Sequence, residues 1–176
     1  KKLNWDEPVP VDVAKKFKHW LDSIEILTSM NIPRWISSSN VFSKSLHIFT
    51  DASKEAYAAV AFLRSENADG VTVQLVLAKS RVTTIKPITT PKLELVGCEC
   101  GAKMINNISK TMDLTDVKVT LWTDSSDALA WIQRNENWQI FVYNRVKKIR
   151  ELTDVNQWRH IPGHCNPADL PSRGCS

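Results

Sequence analysis

From Leu46 onward the hydrophobic and polar positions follow two different rhythms. Leu46-His47-Ile48-Phe49-Thr50-Asp51 and Val71-Thr72-Val73-Gln74-Leu75 change character at every second residue, as a strand with one buried face does. Residues 56–63, small and apolar with Tyr57, Val60 and Phe62, predict a strand between them. Glu66-Asn67-Ala68-Asp69-Gly70 is a turn closed by glycine. Three strands with such short connections make an antiparallel meander, the third reaching to about Lys79.

The period then lengthens. Leu93, Val96, Gly97, Cys100 and Met104 share a helical face behind Pro91, and proline suits a first helical turn. This helix is expected to run to about Thr111. Residues 117–124 predict a fourth strand, and Ser125 caps a helix carrying Ala128, Leu129 and Ile132. After a break at Asn135-Glu136-Asn137, the residues Phe141, Val142, Val146, Ile149 and Leu152 mark another helix. Gln157-Trp158-Arg159-His160-Ile161 predicts the fifth strand. Pro162-Gly163 turns the chain, and Asn166-Pro167-Ala168-Asp169 opens a last short helix. The order βββ-α-β-α-α-β-α implies an α/β fold. Strands four and five join in parallel through helices, giving a mixed five-stranded sheet with its first three strands antiparallel and helices on its faces.

Residues 1–44 have another character. Pro8 and Pro10 end an extended stretch, and Asp12 stands near a helix start. Phe17, Trp20, Leu21, Ile24 and Leu27 make one apolar face, which Asn31-Ile32-Pro33 ends. With Trp5, Trp20 and Trp35 in so short a stretch, the segment is expected to dock on something. The division expected is a helical segment, 1–44, before a main domain, 45–176.

Composition narrows the class. The chain has 176 residues, 43% hydrophobic and 24% charged, enough for one domain with a real core. No apolar run reaches the ~18–20 residues of a membrane span. Lys1-Lys2-Leu3-Asn4-Trp5 is not a signal peptide, so a cytoplasmic setting is expected. The net charge of +4 permits a polyanionic partner without requiring one. Cys98 and Cys100 lie two apart in a helical pattern and face away from each other. Together with Cys165 and Cys175 they lack zinc-ligand spacing, and reduced thiols are expected.

The chemistry lies in acids at strand ends. Phe49-Thr50-Asp51-Ala52-Ser53 and Trp122-Thr123-Asp124-Ser125-Ser126 end two strands alike. If those strands are parallel neighbours, Asp51 and Asp124 emerge roughly 5 Å apart, at the carboxyl edge where such sheets bind ligands. Carboxylates that close stay ionised together only with a cation between them, and oxygen-only donors suit Mg²⁺ or Mn²⁺. Read singly, Asp51 is a turn residue and Asp124 a helix cap. Glu94 and Asp169 answer helix dipoles equally well.

Taken in order, Thr50-Asp51-Ala52-Ser53, Leu93-Glu94-Leu95, Thr123-Asp124-Ser125, Gly163-His164 and Ala168-Asp169-Leu170 resemble the motifs of the ribonuclease H family. Ala78-Lys79-Ser80-Arg81-Val82, Pro91-Lys92-Leu93-Glu94-Leu95, Trp158-Arg159-His160-Ile161-Pro162-Gly163 and residues 166–174 resemble the BEL/Pao group of LTR retrotransposons. Trp5-Asp6-Glu7-Pro8 and Asn31-Ile32-Pro33-Arg34 resemble the stretch joining that group's polymerase to its ribonuclease H. The resemblance implies an endonuclease cutting the RNA strand of RNA/DNA hybrids during reverse transcription and leaving 5′-phosphate and 3′-hydroxyl ends. It implies two Mg²⁺ ions, replaceable by Mn²⁺, on Asp51, Glu94, Asp124 and Asp169. His164 would assist proton transfer or product release, or is a solvated loop residue. The setting implied is a retroelement particle, with the polymerase domain of the same polyprotein as partner.

Hybrid recognition would use shape and the 2′-hydroxyl. Ser53 and Ser126 stand beside the acids, and Lys79, Arg81 and Lys86 lie near the approach to Glu94. Arg145, Lys147, Lys148 and Arg150 make a basic stretch that is either a phosphate track or a solvated face. The sequence departs from cellular ribonucleases H in three places. The loop from His164 to Asp169 is shorter, Thr89-Thr90-Pro91 stands where asparagines usually touch the hybrid, and no basic handle lies between Trp131 and Trp138. The rival reading is a silent domain of this fold that spaces a polymerase from its neighbours; such domains lose acids, and this chain keeps four. An exonuclease would carry D-x-E where Asp51-Ala52-Ser53 stands, and no glycine-rich phosphate loop is present.

Overall fold

The computed structural model describes residues 3–32, 35–36, 41–84 and 88–174. Lys86, Cys175 and Pro33 lie outside them. The chain divides into two compact units, Lys1–Trp35 and Ile36–Ser176.

The first unit holds helix α1, Val11–Ile24, and a 3₁₀ stretch, Glu25–Ser29. The α-helix stops earlier than the apolar stripe suggests. Thr28 and Ser29 donate their hydroxyls to the carbonyls of Glu25 and Ile26, at 2.7 and 2.8 Å. Such back-bonding competes with α-helical geometry and tightens the turn. Phe17 stacks on Trp20 at 5.6 Å. Within this unit no residue of α1 is buried.

The second unit is built on five strands: β1 (Ser43–Ala52), β2 (Ala56–Asn67), β3 (Gly70–Val82), β4 (Lys118–Thr123) and β5 (Trp158–His160). Their order is β3-β2-β1-β4-β5. β1 and β3 each run antiparallel to β2, while β4 runs parallel to both β1 and β5. The hairpin between β2 and β3 turns at Gly70, whose φ of 133° suits only glycine. Asn67 Oδ1 accepts the amides of Asp69 and Gly70 there.

The alternation of β1 sends Leu46 and Ile48 into a core that also takes Ala59, Ala61, Leu63 and Leu121. Three helices complete it: α2 (Thr90–Ile108), α3 (Ser126–Gln133) and α4 (Ile140–Leu152). Each buries residues at helical spacing, such as Val142, Val146 and Ile149 of α4. Ser125 caps α3 by accepting the Ala128 amide at 3.1 Å. β5 is shorter than its sequence suggests. A 3₁₀ turn, Val155–Gln157, closed by a reciprocal cap between Asp154 and Gln157, takes up the residues before it. Trp158 follows, fully buried, its indole N–H donated to Thr153 at 3.0 Å. On the other sheet face Phe49 stacks on Trp122 and meets Phe62 edge-on.

Two glycines let α2 lie close to β1. A Cβ at Gly97 would stand 2.9 Å from the Asp51 carbonyl oxygen, and one at Gly101 would stand 2.5 Å from Thr50 Cγ2. Gly97 meets backbone, which cannot rotate away. Gly97→Ala is therefore expected to cost about 1–3 kcal/mol and to push Glu94 away from Asp51. A denaturant melt checks the first effect. A variant as stable as the parent would mean that α2 has room to spare.

Candidate functional site

β1 and β4 pair in parallel up to Thr50 and Thr123. Asp51 and Asp124 are the next residue on each, so both acids leave the same sheet edge. Thr50 donates its hydroxyl to the Trp122 carbonyl at 2.9 Å, tying the two strands just below the acids. His160, at the end of β5, bonds the Asp124 carbonyl through Nε2 at 3.2 Å. Its part is to brace the backbone.

Asp51 is 4% exposed, and its Oδ2 accepts a short hydrogen bond from the Ser172 hydroxyl. Asp124 is half-buried, and its Oδ1 is buried without a partner. Burial, and then the Asp51 charge, raise the Asp124 pKa above the usual carboxylate range. Glu94 enters from the first turns of α2. Burial raises its pKa; a hydrogen bond from Ser125 pulls against this, and the charges of Asp124 and Asp51 add to the rise. Three carboxyl groups thus share one field at the end of β1 and β4. The Cys98 thiol beneath them, 3.6 Å from Thr50 Oγ1, is pushed up to about 12 by burial and is chemically inert.

The last segment does not open as a helix at Asn166. A 3₁₀ turn, Gly163–Cys165, comes first, and α5 spans Asp169–Arg173. The reason is Asn166, 5% exposed. Its amide N–H₂ donates to the Thr50 carbonyl at 3.0 Å and also bonds Asp124, while its Oδ1 accepts the Ala168 amide. Asn166 thus fastens this segment to both acid-bearing strands. Gly163 passes close enough that a Cβ there would stand 3.3 Å from Asp124 Oδ2, so His164 stands in the turn beside that carboxylate, exposed. Asp169 adds its charge to the field at Asp124, but its carboxylate is paired with Arg173.

The residues expected to touch nucleic acid fall in different places. Ser53 is buried, its hydroxyl donated to the Ser172 carbonyl at 2.6 Å, and it shapes the turn behind Asp51. Ser126 is exposed at the start of α3, and Lys79 and Arg81 are exposed on β3. Arg145 stacks on Phe141, 3.5 Å from the ring centre. Lys147 is exposed, Lys148 pairs with Glu151, and Arg150 donates to the carbonyls of Ile132 and Arg134. Arg150 is therefore a structural clamp. Sequence reasoning missed Asn166 and Ser172. Both lie inside stretches it singled out, but as members of a motif and not for their own hydrogen bonds.

Among the described residues, no group of three or more His, Cys, Asp or Glu side chains is arranged so that it could hold a metal ion. Two observations nevertheless fit a hard cation. Asp124 Oδ1 is an orphaned buried acceptor, and neighbouring acid charges add to the raised pKa of Glu94 and of Asp124. A cation would relieve both. No described helix is long and apolar enough to cross a membrane.

Comparison with known families matches residues 1–125 to the Pao retrotransposon-like RNaseH-like domain; Asp51, Glu94 and Asp124 fall within the match. Comparison with curated proteins gives no match. Among solved structures, RNase H1 of the archaeon Halobacterium salinarum is 15% identical, with a TM-score of 0.46 over 73% of this chain and 93% of that one. The N-terminal RNase H domain of a Mycobacterium tuberculosis protein is 15% identical, with a TM-score of 0.48 over 73% and 91%. A foamy viral protease-reverse transcriptase solved with double-stranded DNA is 13% identical, with a TM-score of 0.47 over 88% and 30%.

Proposed function

The chain belongs to the Pao retrotransposon-like RNaseH-like domain family, and on that premise we propose that it hydrolyses the RNA strand of RNA/DNA hybrids, leaving 5′-phosphate and 3′-hydroxyl ends. The observation that carries this reading is the meeting of Asp51, Asp124 and Glu94 in one field at a parallel strand edge. Such a field repels a phosphodiester unless cations stand between them.

Asp51, Glu94 and Asp124 would hold the divalent cations, with Asp169 joining once its carboxylate leaves Arg173. Bound there, Mg²⁺ or Mn²⁺ would supply a hydroxide near neutral pH and stabilise charge on the leaving oxygen. The chain's own residues do the positioning. Ser172 would orient the Asp51 carboxylate through its hydroxyl. Asn166 and His160 hold Asp124 by side chain and backbone. The carboxyl oxygens so fixed need no reorganisation during the reaction. His164, exposed in the turn next to Gly163, would assist proton transfer or product release. Residues 1–44 would connect this domain to a polymerase domain of the same polyprotein.

The test is cleavage of an end-labelled RNA/DNA hybrid, with DNA and RNA duplexes alongside. Internal cuts in the hybrid's RNA strand alone, dependent on Mg²⁺ or Mn²⁺, are expected. Cutting that survives EDTA, or equal cutting of duplex DNA, would refute the reading. A protein that binds hybrid and cuts nothing would instead be a silent spacer of this fold.

A further inference from the structure

A cleft of about 640 Å³ opens between β3 and α2 and is reached also by α4. Four cationic side chains line it: Lys79 and Arg81 from β3, Lys103 from α2 and Arg145 from α4. The single acid among its lining residues is Glu99, which pairs with Lys103 at 2.5 Å and stands 3.7 Å from Arg145. The cleft therefore carries a surplus of three positive charges, and Lys79 and Arg81 take part in no ion pair among the described residues. The charges converge. At the Cys100 thiol on the cleft wall, burial raises the pKa while Lys79, Arg81 and Lys103 all pull the other way. Arg145 is held in place by its stacking on Phe141 and its bond to the Phe141 carbonyl. A guanidinium fixed in this way loses little freedom on meeting an anion.

The cleft also has a definite place relative to the acids. Asp51 pairs across the sheet with Ala58, and Ala58 pairs with Ser80. Lys79 and Arg81 flank Ser80, so the cleft's mouth lies two strands from Asp51 on the same end of the sheet.

We infer that this cleft binds the phosphodiester backbone of the duplex whose scissile strand lies over the acids. The inference deepens the proposed function and rests on it for the identity of the duplex. An anion of extended shape suits the site better than a compact one, because the charges come from three elements around an open cleft. The contacts reach backbone charge only, so they should add affinity and salt dependence without sequence preference.

The experiment is fluorescence anisotropy of the full chain with a labelled RNA/DNA hybrid, without divalent cations and over a range of salt. Lys79→Ala/Arg81→Ala should weaken binding roughly tenfold or more at moderate salt and lower the salt slope by about two. Lys103→Ala should weaken it less, because Lys103 already pairs with Glu99. Glu99→Gln should tighten binding, an effect of opposite sign that misfolding cannot mimic. Lys118→Ala, at the start of β4 and so at the opposite end of the sheet from the acids, should change neither affinity nor slope. A double variant with parental affinity and slope overturns the inference, as does an unaltered chain that fails to bind hybrid. Cleavage is scored separately with Mg²⁺. A chain that binds through the cleft but never cuts refutes the hydrolase reading alone. A chain that cuts with the cleft variants unaffected in binding refutes the cleft alone.

Discussion

Asp124→Asn should abolish cleavage and yet raise the melting temperature of the metal-free protein. The two effects share one cause. Asp124 stands beside Asp51 at the end of paired parallel strands, with one carboxyl oxygen buried and unpartnered. Asparagine keeps the shape and removes the charge. Cleavage should fall by roughly a thousandfold or more, ~4 kcal/mol of transition-state stabilisation, the scale on which a fixed charge at a reacting phosphate acts. Hybrid binding should persist, because the phosphate contacts proposed here lie in the cleft between β3 and α2. In EDTA the variant should melt higher by about 2–4 °C, since one member of a repelling set is gone. Mg²⁺ should stabilise the parent more than the variant, because only the parent offers the full donor set. Thermal melts of both proteins with and without Mg²⁺, together with the cleavage assay, settle it. A variant that cuts at the parental rate, or melts lower in EDTA, would mean that Asp124 only ends a strand and precedes a helix cap.

The same field sets a pH dependence. Glu94 and Asp124 have pKa values raised in the fold, in both cases by burial first. The folded chain therefore holds their protons at a pH where the unfolded chain has released them. For this pair, metal-free stability is greatest at or below the ordinary carboxylate range and declines as pH rises through the raised folded values. Melts in EDTA between about pH 4 and 7 should show this decline, and Mg²⁺ should offset it at the upper end. Asp124→Asn should flatten the profile. An EDTA profile that rises across that window in parent and variant alike would place the controlling acids elsewhere.

What the sequence makes legible is what depends on period and on repeated local form. The alternation of Leu46, Ile48 and Thr50, and the seven-residue spacing of Val142 and Ile149, place strand and helix correctly because burial of one face decides them. The twin endings at Asp51 and Asp124 are legible because both strands stop in the same way, and parallel pairing then makes them neighbours. Less legible are the features decided by single hydrogen bonds between distant residues. Asn166 looks like a helix start beside Pro167, yet its amide reaches Thr50 and Asp124 and holds the chain in a 3₁₀ turn first. Ser53 looks like an exposed neighbour of the acid, yet the Ser172 carbonyl draws its hydroxyl inward. Arg145 and Arg150 stand five apart in one basic run. One stacks in the cleft and the other clamps carbonyls at the end of α3, a split that a charge count cannot foresee.

Replacing Asn166 should damage the site more than replacing any exposed residue near it, and the two obvious substitutions should differ in their response to pH. Asn166→Ala removes the side-chain donor to the Thr50 carbonyl, in a residue 1% exposed. It also frees the turn carrying His164 from the strand edge. Losing one buried hydrogen bond costs about 0.5–1.5 kcal/mol, and loosened positioning of Asp124 should lower cleavage by roughly a hundredfold. Asn166→Asp has nearly the same shape, but it removes both N–H donors and brings one more carboxylate against Asp124. Near neutral pH it should be the less stable of the two in EDTA. Its new carboxyl should have a raised folded pKa, so stability lost at high pH returns as pH falls through that value, where the protonated acid can again donate to the Thr50 carbonyl. The alanine variant has no such group; it only loses the bond that lowers the Asp124 pKa, so its deficit should grow as pH rises through the Asp124 titration and show no added carboxyl. Mg²⁺ should stabilise Asn166→Asp more than the parent, because the added carboxylate is another oxygen donor facing the same field. Melts of the three proteins across the acidic range, with EDTA or Mg²⁺, measure all of this. If Asn166→Asp follows the parental pH profile and gains nothing extra from Mg²⁺, the Asn166 amide does not face the carboxylates, and the turn is held by its backbone alone.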